Sequence, residues 1–139
     1  MKKLYLDIDG VLLTSKHTEA APGGIAFLNY ILSNYNCYWL TTHCKDGNIN
    51  MALDRLSKYY PVRMVAKLRC IKPVKWNTLK TEGIDFNSDF FWVDDYAFDV
   101  EKRILSSKGK KNSLILVDLR RENELMNICS ILEKSNDEY

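Results

Sequence analysis

Four short segments hold the residues whose types and spacing point to chemistry. Asp7-Ile8-Asp9-Gly10 closes an apolar run near the N-terminus, Thr41-Thr42 closes a second, and Asp94-Asp95 closes a third, while Lys72 and Lys75 lie on the approach to Asp94. Carboxylates gathered in one place repel one another and raise each other's pKa unless a cation lies among them. Mg²⁺ fits such a set, since it prefers oxygen ligands and is commonly held by one or two carboxylates together with a substrate phosphate. A lysine and hydroxyls beside it would take the remaining phosphate oxygens. Positioning and charge neutralisation are most of what phosphoryl transfer asks of a protein, so a phosphorylated substrate suits these residues.

They act together only if the fold gathers them. Residues 3–8 form an apolar strand that ends in the Asp9-Gly10 turn. Ile25, Leu28, Ile31, Leu32 and Tyr35 recur at helical spacing, and residues 37–41 make a second strand rich in aromatics. Asp46 is placed to cap a helix bearing Ile49, Leu53, Leu56 and Tyr60, which Pro61 stops. Residues 62–66 read as a third strand, about 75–81 as a short helix ended by Gly83, and 90–93 as a fourth strand. A helical piece around 100–105, a fifth strand at 113–118 and a helix carrying Leu125, Ile128, Cys129 and Leu132 complete the chain. Short apolar strands alternating with amphipathic helices predict a doubly wound, Rossmann-like α/β fold, a five-stranded parallel sheet with helices on both faces. Ligands of such sheets bind outside the carboxyl ends of the strands, where strand order reverses. The acidic pairs and the threonines stand at those ends.

The ordered motifs resemble those of the haloacid dehalogenase-like (HAD) phosphohydrolase superfamily. Asp7-Ile8-Asp9-Gly10-Val11-Leu12 is similar to its first motif, Tyr38-Trp39-Leu40-Thr41-Thr42 to its second, and Phe91-Trp92-Val93-Asp94-Asp95 to its acidic fourth; Asp99 also permits a more widely spaced form of the last. The resemblance spans residues 4–99 and implies a phosphatase that works through an aspartyl-phosphate. Asp7 would be the nucleophile, and Asp9 the acid that protonates the leaving group and then the base that activates water. Thr41 would hydrogen-bond the transferring phosphoryl group. Asp94, with Asp95, would hold Mg²⁺ together with Asp7 and the Asp9 carbonyl. For the superfamily's lysine motif, Lys75 at the start of the 75–81 helix is the first choice and Lys72 its rival. Gly10, Thr42, Lys72 and His43 are the candidates for contact with substrate.

The resemblance also bears on access. Cap domains in the superfamily are inserted after the first motif or before the fourth strand, and neither gap here holds one, so a small capless type is expected. An open site suits a large substrate, such as a nucleic-acid end or a phosphoprotein, or a cap supplied by an oligomeric partner. A nucleotide remains a further option. The alternative is a non-catalytic phosphate- or Mg²⁺-binding module, either a receiver-like signalling domain or a pseudoenzyme. A receiver's phospho-acceptor ends the third strand, and residues 62–66 end without an aspartate.

Composition sets the outer bounds. The chain has 139 residues, 46% apolar and 27% charged, the balance of one globular domain with a buried core. That domain is expected over 1–134, with 135–139 a polar tail. A formal charge of +2 argues for no dedicated polymer or membrane binding, although residues 55–80 carry eight basic side chains and no acidic one. That stretch reads equally as a solvated face or as a local surface for a phosphorylated polymer. Carboxylates break the N-terminal apolar run at once, and no run approaches a membrane span, so a cytoplasmic protein is expected. Cys37, Cys44, Cys70 and Cys129 form no CxxC pair and are read as reduced thiols. Trp39, Trp92, Phe91 and Tyr38 read as core residues.

Overall fold

The computed structural model describes residues 1–14, 16 and 19–137, the last by its backbone alone. Strands β1 (Lys3–Leu6), β2 (Asn36–Trp39), β3 (Lys72–Pro73), β4 (Phe90–Asp94) and β5 (Leu114–Leu116) form one parallel sheet in the order β3-β2-β1-β4-β5. Helices α1 (Gly24–Asn34), α2 (Asn50–Ser57), α3 (Val62–Leu68), α4 (Asp99–Ser107) and α5 (Glu124–Asp137) cover it. The fold is the expected α/β sheet wound on both faces.

Side-chain alternation along β1 explains the two cores. Leu4, Leu6 and Ile8 point into one apolar cluster with side chains of α1, α2, α3 and α5, and Tyr5 points into the other with Trp92, Ala97 and Leu105. Because both faces are covered, the strands are apolar almost throughout. No helix among the described residues is long and apolar enough to cross a membrane.

Three stretches differ from the sequence expectation. Residues 62–66 are not a strand but the body of α3. Met64 and Leu68, one helical turn apart, are buried, whereas Val62 is 86% exposed; the alternation of Val62, Met64 and Ala66 concealed an i, i+4 pair that ends beyond Ala66. The third strand is instead the two-residue β3, which pairs Lys72 with Tyr38 and Pro73 with Trp39. Residues 75–81 do not form a helix. Glu82 accepts hydrogen bonds from the backbone N–H groups of Asn77, Thr78 and Leu79 at 2.9, 2.9 and 3.3 Å, so one carboxylate gathers three successive donors into a bend that leads into a 3₁₀ turn at Lys80–Gly83. The alternation is therefore incomplete: two helices lie between β2 and β3, and no α-helix lies between β3 and β4.

Two smaller expectations also change. Asp46 does not cap α2; its carboxylate accepts from Asn48 N–H, and Asn48 Oδ1 in turn accepts from Asn50 N–H at the helix start. Residues 135–137 continue α5, and Asn136 Nδ2 donates to the Tyr35 hydroxyl at 3.1 Å, while 138–139 lie outside the described residues.

From β1 the chain fills one side of the sheet with β2 and β3, then crosses back to build β4 and β5 on the other. Strand order thus reverses beside β1, and the crevice there is the position where such sheets take ligands. Parallel register brings the ends level: Leu6 is opposite both Trp39 and Val93, and Asp7 N–H donates to Val93 O at 3.1 Å. Asp7 and Asp94 are therefore neighbours by backbone geometry alone.

The start of α1 gives a test of this packing. A Cβ at Gly24 would overlap the Tyr60 hydroxyl, which donates to Leu12 O at 2.7 Å. Gly24→Ala should destabilise the protein by about 1–3 kcal/mol, and adding Tyr60→Phe should recover part of that loss. Strictly additive effects in denaturant titrations would show that the two residues are not packed together.

Candidate functional site

Asp7 follows the last residue of β1 and Asp94 is the last residue of β4. Both are buried, at 7% and 1% exposure. Asp95, exposed, is next in the chain, and the three residues offer carboxylate oxygens that all lie within 4.8 Å of one another. Lys80 reaches into this group from the 3₁₀ turn, its Nζ 2.6 Å from Asp94 Oδ2 and 3.3 Å from Asp7 Oδ2. Its backbone is anchored as well, since Lys80 N–H donates to Glu101 Oε2 at 2.8 Å from buried Glu101 on α4.

The Asp94 carboxylate is fixed by four donors. Oδ2 accepts from Lys80 Nζ and, at 3.1 Å, from Trp92 Nε1; Oδ1 accepts from Asp95 N–H at 2.8 Å and Tyr96 N–H at 3.3 Å. Trp92 is thus both a core residue and a donor to the site. Asp7 is held less fully. Burial and the neighbouring Asp94 charge outweigh the attraction of Lys80 and push its pKa up to about 7. Burial likewise raises Asp94, against the pull of Lys80. Burial also opposes the charge on Lys80, but Asp7 and Asp94 together prevail and hold its pKa above the usual lysine value. Three carboxylates against one ammonium leave an excess of negative charge, and an all-oxygen set with that excess fits a hard divalent cation.

Asp9 turns away from this cluster. Its Oδ2 lies 2.7 Å from His43 Nε2 and its Oδ1 accepts from Arg55 Nε at 3.3 Å. Gly10 follows at φ +80°, and a Cβ there would overlap the Asp95 carboxylate, so glycine is required both by the left-handed turn and by the close approach.

The remaining sequence candidates separate clearly. Neither Lys75 nor Lys72 lies in the carboxylate cluster. Lys72 is exposed on edge strand β3, and Lys75 is exposed where its side chain approaches Gly47. Lys80 takes the place expected of them, because residues 75–79 bend rather than form a helix and lead into the 3₁₀ turn that holds Lys80 at the site. Thr41 is buried, and its hydroxyl accepts weakly from His43 N–H at 3.4 Å; Thr42 instead lines the recess beside Asp7 and Lys80. Asp99 stands exposed at the start of α4, outside the cluster of Asp7, Asp94 and Asp95.

Sequence reasoning missed Lys80, Arg55 as a partner of Asp9, and Glu101. A usable signal for Lys80 was its position in the polar Lys80-Thr81-Glu82-Gly83 segment between apolar Leu79 and Ile84, a pattern of a turn rather than a helix end. No family model, curated protein or solved structure matches the chain.

The elevated pKa of Asp7 carries a pH signature for the metal-free protein. Between its ordinary value of 3.8 and about 7, folded Asp7 holds a proton that the unfolded chain releases. Its contribution to stability therefore falls as pH rises through this window and is lowest above it. Asp7→Asn should remove that fall, making the variant more stable than the parent at pH 8 by on the order of 1 kcal/mol or more, with a smaller difference at pH 5. Chemical denaturation in the presence of a chelator at the two pH values measures this, and a variant less stable than the parent at pH 8 would contradict it.

Proposed function

We propose that the protein is a Mg²⁺-dependent phosphoester hydrolase of the HAD-like kind, with Asp7 as nucleophile. The observation that carries this reading is the buried Asp7 at the central strand end, contacted by Lys80 and flanked by Asp94 and Asp95. Asp7, Asp94 and Asp95 would hold the cation, which when bound would neutralise charge on the phosphoryl oxygens and lessen their repulsion from Asp7.

Asp7 Oδ attacks phosphorus, forming an acyl phosphate as the bond to the leaving oxygen breaks. Lys80 serves that step by placing a fixed positive charge beside the nucleophile, while its tie to Glu101 limits the reorganisation needed. The leaving oxygen takes a proton from Asp9. His43 Nε2, 2.7 Å from Asp9 Oδ2, and Arg55 Nε, 3.3 Å from Oδ1, orient the Asp9 carboxyl group. Water then attacks the acyl phosphate, gives its proton to Asp9, and phosphate leaves with Asp7 restored.

The strand order favours this reading over a receiver-like module. Such modules use the order 2-1-3-4-5 with a ligand site beside strands 1 and 3, whereas here β1 is central between β2 and β4, and β3 passes into Val74-Lys75 without a carboxylate.

Hydrolysis of an aryl phosphate with and without Mg²⁺ tests the proposal. Asp7→Asn should abolish turnover, and Lys80→Ala should lower kcat/KM by about 100-fold or more, whereas Lys72→Ala and Lys75→Ala should stay within about threefold of the parent. Undiminished activity in Asp7→Asn would sink the nucleophile assignment. A second comparison addresses Asp9. Asp9→Asn should slow an alkyl phosphate, whose leaving oxygen needs a proton, by about 10²–10⁴-fold, and a nitrophenyl phosphate much less. Equal losses on both esters would remove the general-acid role.

A further inference from the structure

The carboxylate cluster opens into a recess of about 340 Å³ whose lining includes Trp76, Tyr96 and Phe98. Trp76 is held firmly: its Nε1 donates to Thr41 O at 3.2 Å, its backbone N–H donates to Lys45 O at 3.3 Å, and Lys45 Nζ lies 4.4 Å from the ring centroid. Tyr96 and Phe98 pack edge to face, with centroids 5.4 Å apart, and remain 63% and 52% exposed.

The fold gains little from the last two rings. Neither belongs to either apolar core. Phe98 occupies the N-cap of α4 and makes no side-chain cap, a position where Ser, Thr, Asp or Asn would satisfy a helix donor; Glu101 compensates in part by accepting Phe98 N–H at 2.9 Å. An exposed aromatic pair at a helix start that prefers small polar residues, beside a phosphate-type site, suits a flat ligand.

We propose that this recess is a subsite for a nucleobase, so that the phosphoester bound here is a nucleotide or the phosphorylated end of a nucleic-acid strand. The position of the phosphate rests on the hydrolase reading above; the base subsite rests on the aromatic walls. Every base has a π-face, so stacking holds it without a sequence code, and the Lys45 ammonium over Trp76 adds attraction for the phosphate. On the other side of Asp95 a second opening of about 310 Å³ is lined by Gly10, Asp95, Asp118, Arg120 and Arg121 among others; Arg120 is paired with Asp118 at 2.9 Å, which leaves Arg121 as the guanidinium to meet a strand's next phosphate. A phosphotyrosine would fill the aromatic recess but has no second phosphate for Arg121.

The test measures binding in the Asp7→Asn background with Mg²⁺, by quenching of tryptophan fluorescence. Trp39 and Trp92 are fully buried, so quenching by base contact reports Trp76, and ribose 5-phosphate controls for any change at Trp92, whose Nε1 donates to Asp94. The probes are adenosine monophosphate, a short single-stranded oligonucleotide with a terminal phosphate, ribose 5-phosphate and a phosphotyrosine peptide. Base-bearing probes should bind at least about tenfold more tightly than ribose 5-phosphate, and Tyr96→Ala with Phe98→Ser should cut that ratio about 5- to 100-fold. Phe98→Ser supplies a better helix cap while removing the ring, so an unimpaired melting temperature with a reduced ratio separates ligand stacking from a structural role. A ratio near one, a ratio unchanged in the double variant, or tightest binding of the phosphotyrosine peptide overturns the proposal. Preference for the oligonucleotide that Arg121→Glu abolishes identifies a strand end; equal binding of the monophosphate identifies a free nucleotide. Base-dependent binding without turnover by the parent protein would retain the subsite and remove the hydrolase reading, and turnover without base preference would do the reverse.

Discussion

Two carboxylates stand side by side at the end of a parallel sheet because β1 and β4 pair in register, and neither can move away without breaking the backbone ladder. The mutual repulsion of Asp7 and Asp94, intensified by burial, is the constraint around which the rest of the site is organised. Lys80 compensates part of it and Asp94 is further settled by the Trp92 indole and two backbone donors. Asp7 has less support, which is why its pKa rises to about 7. An under-compensated carboxylate costs stability, and groups of this kind gather at functional sites.

The segment between β3 and β4 exists to meet that constraint. A helix there would have carried Lys80 along its own axis, but Glu82 gathers the backbone donors of residues 77–79 into a bend. The turn that follows is pinned to α4 through Glu101, which accepts from Lys80 N–H with one oxygen and Phe98 N–H with the other. One buried carboxylate thus couples the lysine that neutralises the cluster to the aromatic residue at the mouth of the recess. Asp9 shows the complementary arrangement, since it shares β1's exit with Asp7 but is drawn toward His43 and Arg55. Two aspartates two residues apart acquire different surroundings, and so can take different parts in a reaction.

Much of this was legible before the fold was known. Apolar runs ending in Asp7, Thr41 and Asp94 identified strands β1, β2 and β4, because a strand buried on both faces has no other composition open to it. Their alternation with amphipathic helices then implied parallel pairing, and parallel pairing implied one common edge. The failures were local. Residues 62–66 satisfied a strand pattern over five positions, too few for the two periods to be told apart, and the i, i+4 contact of Met64 with Leu68 lay just past the end of the run. The 75–81 error had a different origin: four of its seven residues, Trp76, Asn77, Thr78 and Thr81, are weak helix formers, and Glu82 gathers the donors of residues 77–79 into a bend.

The sequence by itself determined the fold class and the edge at which the polar residues meet, because these follow from hydrophobic pattern and strand pairing; it offered Asp7, Asp9, Asp94, Asp95 and Asp99 as acidic candidates, and the structure brought Asp7, Asp94 and Asp95 together. Only the tertiary structure decided which lysine reaches them, that Thr42 rather than Thr41 faces the recess, that Asp9 is partnered by His43 and Arg55, and that Trp76, Tyr96 and Phe98 line one opening. Those assignments depend on contacts between segments far apart in the chain, formed through loops whose course is set by single side-chain to backbone hydrogen bonds, and such bonds leave no periodic trace in the order of residues.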